Sequence, residues 1–195
     1  RSCLVGSEMC IRDRFYSWTN NLVPNKFPTL DGDHPRMVIP FRDSNGDIFA
    51  YQGRAFGNEK PKYITIILDD SVPKIFGLDR VDTTSDILVV EGPIDSLFIQ
   101  NCIAVAQSDL RVPQYKDKAI LVPDNEPRNR EVIKQIEKAI DENYRVVVWP
   151  DYVRQKDIND MILSGLDAVE IMDIISNNTF QGLSAKVELQ KWKRT

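Results

Sequence analysis

An α/β protein is what this sequence predicts: a parallel sheet with flanking helices, preceded by a small, mostly antiparallel lobe. Two patterns carry that expectation. From about residue 85, short continuous apolar runs alternate with stretches of helical spacing. Such runs suit strands buried on both faces, and strands alternating with helices make a parallel sheet. Upstream, two apolar runs flank an Asn-Gly pair, which is a hairpin signal because both central residues of that turn favour positive φ.

The 195 residues are 42% hydrophobic, enough for one ordinary core or two small lobes. Charged residues of both signs make up 28%, as in a soluble globular chain. No run approaches the roughly 18 consecutive apolar residues of a membrane helix, and no secretory signal is visible. A net charge of −4 argues against a surface that grips nucleic acid everywhere, though a local basic groove is compatible with it.

Residues 1–14 lack an initiator Met and any clear period, and they resemble translated cloning adapter. They are set aside from the fold, and the chain is expected to be a fragment without its own N-terminus. Cys102 is then the one remaining cysteine, too few for a disulfide or a zinc knuckle, and is expected to be a small buried hydrophobe. His34, the sole histidine, is read as a loop residue.

Residues 15–84 form the first lobe. Residues 15–35 are rich in Asn, Pro and Asp and read as loop with a short helical turn. Met37 to Phe41 and Ile48 to Tyr51 read as hairpin strands, and Tyr63 to Leu68 as a third. Residues 85–180 form the α/β domain, with strands at 87–90, 103–106, 119–122 and 145–149. Helices are expected at 93–101, 130–142, 157–163 and 167–175, the second marked by Val132, Ile133, Ile136, Ala139 and Ile140. Residues 181–195 form a basic tail with Lys186, Lys191, Trp192, Lys193 and Arg194. An ordinary amphipathic terminus is the preferred reading, a stacking and phosphate-binding tail the other.

Sites in open parallel sheets lie beyond the carboxyl ends of the strands. Three strand ends here carry acids: Glu91 to Asp95, Asp124 to Glu126, and Asp151 with Lys156 to Asp160. Clustered carboxylates repel one another and resist desolvation unless a cation sits among them. Oxygen donors without His or Cys suit Mg²⁺ or Mn²⁺, which take further ligands from water and phosphates and point to phosphoryl or nucleotidyl transfer. Gly92 allows a tight turn, Pro93 suits a first helical turn, and Asp95 lies one turn from Glu91. The plain alternative is that these acids merely favour helix N-termini, most of all Asp95, while Asp151 and Asp160 read as solvated residues. A receiver domain would need adjacent acids after its first strand, which Glu91-Gly92-Pro93 does not supply.

These motifs resemble the Toprim fold of primases, topoisomerases and some nucleases. Leu88 to Asp95 matches its strand followed by E-G-x-x-D, Asp124-Asn125-Glu126 its D-x-D, and Lys156 to Asp160 its K-D-x-N or K-D-x-D. The first lobe is similar to that of primases. Val38 to Asp43, Gly46, Ala50 to Arg54, Pro61-Lys62-Tyr63 and Ile75 to Leu78 follow the primase order across residues 36–163. Asp124 to Asn129 looks like primases of T-even-like phages. Glu126 departs from the pattern, a longer carboxylate arm where the family has its second Asp.

The resemblance implies a DNA primase catalytic core, making RNA primers on single-stranded DNA from ribonucleoside triphosphates, with a groove between the lobes for the template. It implies Mg²⁺ or Mn²⁺ held by Glu91, Asp124, Glu126 and Asp157, with Asp95 in support and Glu91 alternatively a general base. Arg54 and Lys62, with Arg42 and Arg128, would contact triphosphate or template. A replicative helicase partner and the cytoplasm of an infected bacterium belong to the same expectation. The zinc-binding template-reading module of primases is not evident, in keeping with a fragment. Two rivals stay open: a Toprim nuclease or topoisomerase-like cleaver, and a scaffold that binds nucleic acid without catalysis.

Overall fold

The computed structural model describes residues 10–107 and 109–194. The chain forms two compact units that divide between Lys74 and Ile75, earlier than residue 84. Ile75 and Phe76 are buried. Phe76 exchanges backbone hydrogen bonds with Ala104, donating at 2.7 Å and accepting at 3.0 Å, which ties this segment to the second unit.

The first unit is a four-stranded antiparallel sheet with one helix. In order its strands are β1 (Cys10–Arg12), β2 (Arg36–Arg42), β3 (Ile48–Ala55) and β4 (Tyr63–Ile67). The hairpin of β2 and β3 forms as expected. Of Asn45 and Gly46, however, only Gly46 takes a positive φ, 87°. The Asp43 carboxylate accepts the N–H groups of Asn45 and Asp47 at 2.8 and 2.9 Å, so a side chain shapes this turn.

Two expectations are corrected here. Residues 1–9 lie outside the described residues, but Cys10–Arg12 adds an edge strand to β2, so the segment set aside contributes to the sheet from Cys10 onward. Residues 15–35 hold a helix, α1 (Phe15–Leu22), not merely a turn. Its Ncap residue Arg14 offers no cap. Instead the buried carboxylate of Asp33 accepts the N–H of Tyr16 at 2.7 Å and of Ser17 at 3.1 Å, satisfying donors that a helix start leaves free. Phe15 packs with Val38, Tyr51 and Ile66 in the core of this unit.

The second unit is a five-stranded sheet in the order β6-β5-β7-β8-β9. Its strands are β5 (Ile87–Val90), β6 (Cys102–Ala104), β7 (Ala119–Leu121), β8 (Arg145–Val147) and β9 (Thr179–Phe180). The first four are parallel and β9 pairs antiparallel with β8 at the edge. All four residues of β5 are buried, each side chain contributing about 1.5–3 kcal/mol. Cys102 is buried as expected, and burial pushes its thiol up to about 12, outside the range of a reactive thiolate.

Helix α2 (Arg130–Asp141) buries Val132, Ile136, Ala139 and Ile140 and is capped by Asn129, whose side chain accepts the N–H groups of Glu131 and Val132. Helices α3 (Ile158–Leu163) and α4 (Ala168–Asn177) follow, the latter with a capping box between Asp167 and Glu170. The helix expected at 93–101 shrinks to a single tight turn at Asp95–Leu97. Other partners take its carbonyls: the Ser96 hydroxyl donates to Pro93 at 2.7 Å, and Arg80 donates to Ser96. The expected tail is a helix, α5 (Gly182–Trp192), with Ala185, Leu189 and Trp192 buried. Among the described residues no helix is long and apolar enough to cross a membrane.

Candidate active site

The strands that carry the acids, β5, β7 and β8, are consecutive neighbours in the sheet and run parallel. Their carboxyl ends therefore share one edge. Glu91 follows β5 directly, and Asp124 and Glu126 leave β7 after Pro123. A long loop after β8 leads to Asp157, the Ncap residue of α3.

Asp95, Asp124 and Asp157 line one small pocket together with Val90, Trp149 and Ile158. Gly92 makes room for Asp95: a Cβ there would lie 2.5 Å from its carboxylate. Asp95 accepts the N–H of Asn159 at 2.9 Å and Asp157 accepts that of Asp160 at 2.8 Å. Both aspartates thus cap α3, and part of the structural alternative for them holds.

Crowding leaves an electrostatic signature. Burial pushes Glu91 up to about 7, and the charges of Asp124 and Glu126 add to the rise. Burial likewise raises Asp95 to about 6, with Asn159 opposing and Asp157 and Asp124 reinforcing. Asp124 is raised by burial, against the pull of Lys156 and with the push of Asp157 and Glu126. The five predicted carboxylates, Glu91, Asp95, Asp124, Glu126 and Asp157, therefore feel one another across three loops.

Lys156 appears in the third acidic motif of the sequence beside Asp157, but the sequence assigns it no role. Its Nζ lies 3.3 Å from Asp124 Oδ2 and 3.5 Å from Glu126 Oε1. Burial alone would lower Lys156, yet Asp124 and Glu126 outweigh it and hold the ammonium above its ordinary value. A cation thus already bridges these two acids. Among the described residues no three His, Cys, Asp or Glu side chains form a group able to hold an ion by themselves. An Mg²⁺ that keeps several waters and needs only one or two carboxylates plus phosphates still fits the oxygen donors of Asp124 and Glu126.

An open cleft of about 570 Å³ adjoins this loop, lined among others by Glu126, Arg128, Trp149, Arg154, Trp192 and Arg194. Arg194 pairs with Asp151 at 2.6 Å, and Arg128 is exposed. The remaining basic candidates belong to the first unit. Arg54 and Lys62 both sit over the ring of Tyr63, at 5.8 and 5.7 Å from its centroid. Arg42 donates to the carbonyl of Gly46 at 2.8 Å, closing the β2–β3 turn.

No family model matches the chain. Over 180 residues it is 42% identical to the DNA primase of Enterobacteria phage T4, an alignment covering 90% of this chain and 52% of that protein. The structure of a DNA primase domain from Pseudomonas aeruginosa matches with a TM-score of 0.60 and 21% identity, over 80% of this chain and 57% of that one. A DnaG primase catalytic domain bound to ssDNA gives a TM-score of 0.58 and 20% identity, over 78% and 54% of the two chains.

The fold is that of primase catalytic cores. In sequence the chain is similar to DNA primases, and it spans about half the length of the phage relative.

Proposed function

We propose that this chain is the polymerising core of a phage-type DNA primase, joining ribonucleotides on a single-stranded DNA template, and that its second unit is a Toprim domain. The observation that carries the reading is the gathering of Glu91, Asp124 and Glu126 at the ends of β5 and β7, where burial first and the neighbouring charges second push Glu91 up to about 7. The relative's name and the fold match to a primase domain that binds ssDNA support the same substrate class.

In this reading Asp124 and Glu126 hold a divalent cation, Mg²⁺ or Mn²⁺, with Asp157 and Glu91 completing its surroundings directly or through water. That ion supplies charge neutralisation for the triphosphate and the departing pyrophosphate. Where Glu91 instead serves as general base and not as a ligand, it accepts the proton of the primer 3′-hydroxyl. The freed oxygen forms the new bond to the α-phosphorus while the bond to pyrophosphate breaks. Asp95 holds α3, and with it Asp157, in place. Arg54, Lys62 and Arg42 on the first unit, and Arg128 beside the acid loop, contact triphosphate or template phosphates. Work at a replication fork with a replicative helicase, in the cytoplasm of an infected bacterium, belongs to the same proposal.

The test is incorporation of labelled ribonucleotides on single-stranded DNA carrying a pre-annealed RNA primer, with Mg²⁺ or Mn²⁺. Incorporation that disappears in Asp124→Ala supports the reading. Metal-dependent cleavage of the DNA without incorporation overturns it in favour of a nuclease. Neither activity, with no metal bound, leaves a nucleic-acid-binding scaffold.

A further inference from the structure

Asn125 stands between the two acids of the β7 loop, and every polar group of its side chain is engaged. Its Oδ1 accepts the indole N–H of Trp192 at 3.0 Å. Its Nδ2 donates to the carbonyls of Val153 at 3.0 Å and Gln155 at 3.1 Å. Its backbone N–H donates to the carbonyl of Lys156 at 2.6 Å. One residue therefore ties together three segments: the loop bearing Asp124 and Glu126, the loop leading to Lys156 and Asp157, and the last turn of α5.

The flanks of the acid loop are held in the same way. Trp149 donates its indole N–H to the carbonyl of Pro123 at 2.7 Å, just before Asp124. The N–H of Arg194 donates to the carbonyl of Pro127 at 3.0 Å, just after Glu126. The last backbone bond from this segment to β5 is that of the Val122 N–H to the Val89 carbonyl at 2.8 Å, and residues 123–126 lie beyond the strand. Two like charges carried on such a segment push it apart unless other elements fix it. Trp192 is 6% exposed, so its indole N–H needs the partner that Asn125 provides.

We infer that Asn125 is a positioning residue for the Asp124 and Glu126 carboxylates, and that Trp192 at the end of α5 acts through it, so that the C-terminal helix helps set the affinity of the site for a divalent cation. This rests on the reading of Asp124 and Glu126 as cation ligands. The partners that orient metal ligands from behind usually change affinity or activity by about 10- to 100-fold when removed.

The experiment is calorimetric titration of the full chain with Mn²⁺ alone, alongside ribonucleotide incorporation as a function of Mn²⁺ concentration. Trp192→Phe keeps an aromatic ring and removes the donor. It is expected to weaken Mn²⁺ binding by about threefold to tenfold, with incorporation restored at higher Mn²⁺. Asn125→Ala is expected to weaken it by about tenfold or more. Leu189→Ala, on the same helix and 2% exposed, lowers the melting temperature and leaves Mn²⁺ affinity within about twofold of the parent. Should Asn125→Ala fail to fold, Trp192→Phe carries the test. Parent-like Mn²⁺ binding by Trp192→Phe overturns the inference, as does an equal loss in Leu189→Ala, which would mean only general destabilisation. A parent chain that binds no Mn²⁺ overturns the cation reading itself, and that result is seen before any variant is compared.

Discussion

Asp95 and Asn159 stand 64 residues apart, and the carboxylate of the first accepts the backbone N–H of the second at 2.9 Å. The next N–H of α3, that of Asp160, is taken by Asp157. Two acids from separate loops therefore close the first turn of one short helix, and Asp95 ties its own loop to that helix beside the pocket it shares with Asp157 and Asp124.

Replacing Asp95 separates its charge from its hydrogen bond. Asp95→Asn keeps an acceptor for Asn159 and removes a carboxylate that burial has raised to about 6. At pH 8 the metal-free Asp95→Asn protein is expected to melt at or above the parent. Asp95→Ala loses the cap and is expected to be less stable by about 1–2 kcal/mol. Calorimetric melting of both variants decides it; identical melting would show that the bond to Asn159 contributes nothing.

The stability of the metal-free protein should fall as pH rises from 4.5 to 8. Glu91 is raised from 4.5 to about 7 and Asp95 from 3.8 to about 6. A carboxylate raised by folding stabilises the fold below its unfolded value, and that contribution is lost as pH climbs through the folded value. For Glu91 the loss is at most about 3 kcal/mol. Glu91→Gln should flatten the profile between pH 5 and 8, measured by urea denaturation in chelator. An unchanged slope would show that Glu91 is not the group responsible.

Lys156 bridges Asp124 and Glu126 in the place a cation would be favoured. Lys156→Met should destabilise the metal-free protein at pH 7.5 by about 1–2 kcal/mol, since two half-buried acids lose their counter-charge. The same change should tighten Mn²⁺ binding several-fold, because a competing positive charge is gone. Weaker Mn²⁺ binding would instead show that the ammonium organises the acids for the ion.

Helix α1 depends on Asp33, whose carboxylate takes the N–H groups of Tyr16 and Ser17 and meets Arg14 at 3.3 Å. Asp33→Ala should lower stability by about 1–2 kcal/mol, with Asp33→Asn losing less because an acceptor oxygen remains. Amide exchange at Tyr16 and Ser17 locates the effect: protection unchanged in Asp33→Ala would show that the cap is not needed.

These bonds mark where sequence reading succeeds and where it stops. The apolar runs at 87–90 and 119–122 and the helical spacing of 130–142 are local patterns, and the structure follows them to within a residue. α1 was missed because its cap comes from Asp33 and not from the residue before it. The stretch 93–101 was overread because its helical spacing says nothing of Arg80 and Ser96 claiming the carbonyls. β9 is two residues long and exists only because β8 offers an edge.

The sequence by itself determined the α/β class, the hairpin lobe and the presence of acids after three strands, since periodicity and turn chemistry act over a few residues. Tertiary structure alone decided that those three strands are neighbours. It also decided that Lys156 stands between Asp124 and Glu126, and that Trp192 reaches back to Asn125. Burial and charge coupling depend on distance in space, and a hydrogen bond across 67 residues leaves no period in the chain to read.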